Sequence, residues 1–372
     1  MDTRPDVPTV VELLRDRAGT LPDATGYLFL TDGEADEVRL TYAELDTRAR
    51  AIGAVLQDRG HSGERALLLF PPDLQFLEGF FGCLYGGCTA VPAFPPDPSR
   101  LFRTLPRLQA IVRDSRARLV LTSQAIRALF LEAFNALAPE LSGLEWIAID
   151  DLSTSHSDVW RLPLIDGGTL AFLQYTSGST GDPKGVMLTH GNLMSNMKWG
   201  RSPAILDDDT NVNWLPLYHD MGLIGNILQP MWVGRRSVLM SPLDFLRRPF
   251  RWVQAISRYQ ATMSGGPNFA YDLVVRKTSE AERDTLDLRC WRSAFNGAEP
   301  IRPDVLRRFV DFFGPAGFRP QAFFPCYGLA EATLLVTGTP ADETFETLTG
   351  VDVVLSGGGH ELMADTDDLL IP

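Results

Sequence analysis

A chain of 372 residues, 45% of them apolar, exceeds what one hydrophobic core usually serves, so two or more subdomains sharing the chain are expected. The formal net charge of −13 disfavours nucleic acid and anionic membrane surfaces as partners, and any bound polyphosphate would need local donors and a metal ion. Lysine occurs only at Lys184, Lys198 and Lys277, which leaves 31 arginines among the 34 basic residues.

The four cysteines (Cys83, Cys88, Cys290, Cys326) are scattered and lack zinc-type spacing, so they read as reduced thiols of a cytosolic protein. The first residues, Met-Asp-Thr-Arg-Pro-Asp, lack the basic then apolar profile of a signal peptide. Phe76 to Phe94 is the most apolar region, but Glu78, several glycines and Pro92 interrupt it, which predicts a buried helix and strand and no membrane span.

In chain order, Val10 to Ala18 has helical spacing and Val38 to Leu40 is a short strand. Thr41-Tyr-Ala-Glu44 is a capping box that opens a helix to about Asp58. Apolar runs at 65–70, 89–93, 118–122 and 146–150 alternate with helical periodicity at roughly 73–86, 103–115 and 124–137. Such alternation predicts a mainly parallel sheet covered on both faces. Pro92-Ala-Phe-Pro-Pro-Asp-Pro98 can continue neither a central strand nor a helix and is an irregular connection. Later strands are expected at 237–240, 261–264, 291–295 and 321–324, with helices at 249–259, 268–277 and 303–313, giving a second α/β layer.

The most specific stretch is Thr169 to His190. An apolar run to Tyr175 reads as a buried strand, and Thr176-Ser177-Gly178-Ser179-Thr180-Gly181 follows it at once. Its two glycines allow consecutive N–H groups to converge on one anion, four hydroxyls add donors, and Lys184 supplies a mobile charge. The loop is not that of the common NTPases, because Pro183 precedes Lys184 and Gly185 follows it, where a P-loop needs Gly-Lys-Ser/Thr. A plain turn is the alternative for such a loop taken alone.

Ligands of open α/β sheets bind at the carboxyl ends of strands, and four later strand exits carry unusual chemistry. His219-Asp220 follows an apolar run, where Asp can equally cap a helix. In Ser264-Gly-Gly-Pro-Asn-Phe269 the glycines Gly265 and Gly266 permit close approach of a ligand or merely a tight turn. Phe295-Asn296-Gly297-Ala298-Glu299-Pro300 is a turn that also offers polar edges. In Tyr327-Gly328-Leu329-Ala-Glu331 an aromatic ring beside glycine can stack on a base, and the carboxylate four residues on can hold a hard cation.

Taken in order over about 160 residues, these five segments resemble the adenylate-forming superfamily of acyl-CoA synthetases, luciferases and nonribosomal peptide adenylation domains. The narrower resemblance is to the fatty acyl-AMP ligases, supported by Ala330 where many members have Thr, and by the Pro-Pro turn after Pro92. It implies two stacked, mainly parallel α/β subdomains, roughly 1–190 and 191–336, forming an AMP-binding large domain, with 337–372 as a divergent tail. It implies ATP and Mg2+ as cofactors, a fatty acid as substrate and an acyl carrier protein as acceptor. By the same likeness Thr176 to Gly181 and Lys184 hold phosphates, and Asn296 to Glu299 with Tyr327, Gly328 and Leu329 hold the adenosine. Gly265, Gly266 and Phe269 line the acyl pocket, His219 places the carboxylate, and Glu331 with Thr176 serves the metal. Complete members continue into a small C-terminal domain with a catalytic lysine, whereas this chain has no lysine after Lys277. A C-terminally truncated ligase, a binding remnant of low turnover and an acyl-CoA synthetase large domain all remain open on the sequence.

Overall fold

The computed structural model describes residues 5–97, 100–176, 183–199, 210–339, 347–348 and 369–370. The chain divides into two compact units, one of Met1–Trp199 with Trp214–Pro242, the other of Gly200–Asn213 with Leu243–Pro372. Residues 214–242, expected with the second subdomain, therefore pack with the first. Most of the expected tail lies outside the described residues, apart from 347–348 pairing antiparallel with 369–370.

The strands in chain order are β1 (Thr25–Leu30), β2 (Glu37–Thr41), β3 (Arg65–Leu69), β4 (Thr89–Ala93), β5 (Leu119–Thr122), β6 (Glu145–Ala148), β7 (Leu170–Thr176), β8 (Lys184–Thr189), β9 (Asn211–Asn213), β10 (Ser237–Met240), β11 (Met263–Gly266), β12 (Ser293–Asn296), β13 (Phe323–Gly328) and β14 (Leu335–Gly338). In the first unit one sheet has the order β6-β5-β3-β4-β7-β8, parallel except for the β7–β8 hairpin. There β1 also pairs parallel with β10 and antiparallel with β2. In the second unit the order is β14-β13-β12-β11-β9, parallel from β13 to β9 with an antiparallel β14 at the edge.

The parallel arrangement follows from continuous apolar runs. Leu67 to Leu69 and Leu119 to Leu121 have no exposed surface, as strands covered on both faces require. Helices supply the cover, and Thr41 starts one of them as the sequence predicts. Its backbone N–H donates to Glu44 Oε2 at 2.8 Å, Glu44 N–H donates to Thr41 Oγ1 at 3.2 Å, and the helix Tyr42–Asp58 follows. In the second unit the core is aromatic: Trp252 lies 5.5 Å from Trp291, which lies 5.9 Å from Phe309, itself 5.8 Å from Phe323.

Three strands of this unit begin two residues later than their apolar runs. Ala261 and Trp291 are fully buried yet lie just ahead of β11 and β12, so burial there reports core packing without strand pairing.

Candidate active site

In the first unit the phosphate-type motif is a hairpin. The Cα of Thr176, the last residue of β7, pairs with that of Lys184, the first of β8, and Tyr175 pairs with Gly185. Lys184, expected as a mobile charge behind the loop, starts a strand, and its side chain is exposed. Ser177, Gly178, Ser179, Thr180 and Gly181 lie outside the described residues.

The root of this hairpin is fixed from two sides. The Tyr175 hydroxyl donates to Asp114 Oδ2 at 2.5 Å, and burial followed by the Asp114 carboxylate holds that phenol above its usual pKa. Gly185 leaves room for the ring, since a Cβ there would lie 2.9 Å from Tyr175 Cζ. Next to it, buried Gln174 donates through Nε2 to the Tyr218 carbonyl at 2.9 Å. That bond ties the segment carrying His219 to β7, two residues before Thr176. Its Oε1 is buried without a hydrogen-bond partner, a state that costs about 1–3 kcal/mol.

His219 stands at the N-cap position of the short helix Asp220–Leu223, which runs on through a π-helical turn, Ile224–Leu228. Asp220 Oδ1 accepts from Met221 N–H at 2.6 Å and lies 2.7 Å from His219 Nδ1, closer than the 3.3 Å between Met221 N and Nδ1. The imidazole therefore donates through Nδ1, and Nε2 makes no hydrogen bond among the described residues. The bond to Asp220 raises the pKa of His219, against the opposing effect of burial, and half of the side chain is exposed. Gly222 is required here because a Cβ would come within 2.0 Å of the Pro216 carbonyl oxygen.

In the second unit the register aligns Gly266, Asn296 and Pro325 at the carboxyl ends of three neighbouring parallel strands. Gly265, Gly266, Phe269, Asn296 to Glu299 and Tyr327 to Leu329 thereby come to one edge of that unit's sheet, where ligands of such sheets bind. Individual side chains differ from the expected roles. A Cβ on Gly265 would lie 2.0 Å from the Phe295 carbonyl oxygen and 2.6 Å from its ring, so this glycine serves the approach of β11 to β12. Asn296 has no exposed surface and turns Nδ2 toward Asn268 Oδ1 at 3.5 Å, with its own Oδ1 buried and unpaired. Glu299 Oε1 accepts from Phe269 N–H at 2.6 Å at the start of the helix Asn268–Lys277, and both residues are exposed.

Tyr327 is 53% exposed near the end of β13, and Glu331 is exposed in the turn Ala330–Ala332. A tight return joins β13 to β14. Leu334 N–H donates to the Ala332 carbonyl at 3.0 Å around Thr333, which has φ 76° and ψ −59°. This is the rare, strained form of γ-turn, and a β-branched residue there is a genuine outlier. Gly328 lets the return close, since a Cβ would lie 2.1 Å from the Leu334 carbonyl oxygen. Strain of this kind concentrates at functional segments.

A divalent cation has few protein ligands to choose from. Among the described residues no three His, Cys, Asp or Glu side chains gather into a metal site. Glu331 as a single exposed carboxylate fits Mg2+ as an ion shared with phosphate oxygens, the usual manner for that metal.

Sequence reasoning missed Gln174, the Asp114–Tyr175 bond, β8 and the Thr333 turn. Gln174 had a readable signal, an amide inside an apolar run. The other pair is 61 residues apart and needs the topology.

The fold is that of the large domain of adenylate-forming proteins. The fatty acyl-adenylate ligase from L. pneumophila, solved in complex with acyl adenylate and pyrophosphate, superposes with a TM-score of 0.88 at 40% identity, covering 97% of this chain and 63% of that one. McyG A-PCP, complexed with phenylalanyl-adenylate, gives 0.80 over 94% of this chain and 55% of its own at 21% identity, a likeness of fold alone. A model of the AMP-binding enzyme family matches residues 14–359, and the chain belongs to that family. Among curated relatives, the medium-chain-fatty-acid–[acyl-carrier-protein] ligase JamA of Moorena producens is 45% identical over 348 residues, 93% of this chain and 59% of JamA. The long-chain-fatty-acid–AMP ligase FadD32 of Mycolicibacterium smegmatis is 36% identical over 374 residues, 98% of this chain and 58% of FadD32. The chain thus spans about three fifths of the length of these relatives. No helix among the described residues is long and apolar enough to cross a membrane.

Proposed function

We propose that the protein activates a medium- or long-chain fatty acid with ATP, giving acyl-adenylate and pyrophosphate, and that an acyl carrier protein takes up the acyl group. A carboxylate oxygen attacks the α-phosphorus, its new O–P bond forms, and the bond from that phosphorus to the pyrophosphate oxygen breaks. The observation that carries this reading is the Thr176–Lys184 hairpin, held by Tyr175 and Gln174, in a chain 40% identical to a fatty acyl-adenylate ligase solved with acyl adenylate and pyrophosphate.

In this reading Lys184, Thr176 and the hydroxyl loop 177–181 bind phosphate oxygens. Two like charges about 4 Å apart repel by about 4 kcal/mol at an effective dielectric near 20, so the cation at 184 offsets a real barrier to approach. Tyr327 stacks on adenine, while Gly297, Ala298, Gly328 and Leu329 offer backbone edges. Asn296 and Glu299 act mainly by shaping that segment, through Asn268 and Phe269. His219, whose pKa the bond to Asp220 raises, turns Nε2 to the acyl carboxylate. Gly266 and Phe269 line the acyl chain's path, and burial of that chain contributes about 0.8 kcal/mol per methylene. When bound, Mg2+ would neutralise phosphate charge, with the Glu331 carboxylate as a protein contact.

Fatty-acid-dependent exchange between ATP and pyrophosphate tests this. Exchange that falls at least a hundredfold in Lys184→Ala and Glu331→Ala, and a Tyr327→Ala variant that weakens ATP more than fatty acid, are the expected results (each about 2.7 kcal/mol or more of transition-state stabilisation). Firm ATP binding with no exchange in the full-length protein would identify a binding domain instead.

A further inference from the structure

The helix Leu101–Ser115 and its N-cap carry a row of cations, three of which make no ion pair among the described residues. From Arg100 to Arg113 there are four arginines and no carboxylate, in a chain whose net charge is −13. Arg113 pairs with Glu140, but Arg100, Arg103 and Arg107 are exposed, and their guanidinium groups make no ion pair or hydrogen bond among the described residues. At 3.6 residues per turn these three fall within about 60° of arc and span about 10 Å, so they form one face. Cations in the first turns of a helix also oppose its dipole, so the row weakens the helix it sits on. Its opposite face is the structural one, with Leu105, Leu108, Ile111 and Val112 in the core.

Both ends of this helix reach the candidate site within the first unit. At its C-terminal end Asp114 holds Tyr175 at the root of the β7–β8 hairpin. Near its start, burial raises the pKa of the Tyr218 hydroxyl against the opposing charge of Arg107. The Tyr218 ring lies 5.3 Å from that of Phe94, in the connection leading to the helix, and Tyr218 is the neighbour of His219. A body resting on the arginine row would therefore sit beside the segment that carries His219.

We infer that the face formed by Arg100, Arg103 and Arg107 is the docking surface for an acidic helix or loop of the carrier protein that receives the acyl group. This rests on the acyl-transfer reading above. Charge complementarity selects the occupant: three guanidinium groups without an ion pair among the described residues, each able to engage a carboxylate in bidentate fashion, match a compact acidic protein face about two helical turns long. An anionic membrane fits less well, since Phe102 is the one large apolar side chain on the exposed part of the row, at 82% exposure, and the rest of the chain repels a negative surface.

The test uses the full-length protein, a carrier protein bearing its phosphopantetheine arm, and the triple variant Arg100→Glu, Arg103→Glu, Arg107→Glu. ATP–pyrophosphate exchange should match wild type and the thermal midpoint should be no lower than wild type, because among the described residues none of the three side chains makes a bond that supports the fold and carboxylates suit the start of a helix. The KM for the carrier should rise about tenfold or more, and the wild-type KM should rise with salt while that of the variant does not. An unchanged carrier KM with normal exchange overturns the inference, as does a wild-type protein that exchanges normally and transfers to no carrier. Loss of sedimentation with phosphatidylglycerol vesicles at unchanged carrier KM would assign the face to a membrane and also overturn it. Absence of exchange in wild type strikes the proposed activity instead. In that case fluorescence anisotropy of labelled carrier decides the docking surface: binding weakened in the variant supports it, and equal binding refutes it.

Discussion

His190 closes the motif that begins at Thr169, and it gives the fold a defined sensitivity to acid. The side chain is 1% exposed, and its Nδ1 accepts from the Val10 backbone N–H at 3.3 Å, joining the start of the helix His190–Trp199 to the start of Val10–Thr20. Burial, only partly opposed by the charge of Asp166, lowers its pKa from 6.5 to about 4. The sign follows directly. Above pH 6.5 the ring is neutral in both states and its contribution is complete. As pH falls toward 4 the unfolded chain takes up a proton that the folded chain refuses, so stability is lost through that window. The full shift of about 2.5 units amounts to about 3.4 kcal/mol at about 1.36 kcal/mol per unit, of which about 2 kcal/mol is lost by pH 5. The comparison is between wild type and His190→Asn, whose amide oxygen can accept from Val10 but does not titrate. Urea unfolding at pH 7.5, 6 and 5 should show the variant less stable at pH 7.5, with the difference shrinking by about 2 kcal/mol at pH 5. A difference that stays constant across the three pH values would refute the assignment, because acid-sensitive carboxylates affect both proteins alike.

Two further substitutions probe the supports of the candidate site. Tyr175→Phe removes the bond to Asp114 and should cost about 1 kcal/mol, because the exposed carboxylate regains water. Its ATP KM should rise with kcat little changed, Asp114→Asn should do the same, and the double variant should be no worse than either single. Additive effects would show that the two residues act separately. Gly328→Ala pushes a methyl group against the Leu334 carbonyl oxygen and should destabilise the second unit by about 1–3 kcal/mol. A thermal midpoint equal to wild type would mean that the β13–β14 return opens freely.

Helices and parallel strands were legible because their signals are local and strong. The Thr41–Glu44 box and the runs at 65–69 and 119–122 carry their own period or cap. The strand β8 escaped because its side chains are half-exposed without clean alternation, and it is set by pairing with β7 across a loop. The glycines were read as special, with ligand approach and a tight turn both left open. Gly265 and Gly328 each face a carbonyl oxygen at about van der Waals overlap, a fact that depends on which strand lies alongside. The bond from Gln174 to Tyr218 spans 44 residues and that from Tyr175 to Asp114 spans 61, and neither distance in sequence has a local signature.

The five motif segments therefore contain two kinds of residue that substitution should separate. Gly265, Asn296, Gly297, Gly328 and Ala330 are buried or pressed against backbone, so they hold strand ends and returns in shape. Lys184, His219, Ala298, Glu299, Tyr327 and Glu331 are exposed, and apart from Glu299 and His219 their side chains make no hydrogen bond or ion pair among the described residues. Backbone collisions cost folding free energy whatever the ligand, whereas an exposed ring or charge that supports no packing can matter only when something binds. The strained Thr333, at φ 76°, belongs to the first kind by position: it shapes the β13–β14 return two residues after exposed Glu331.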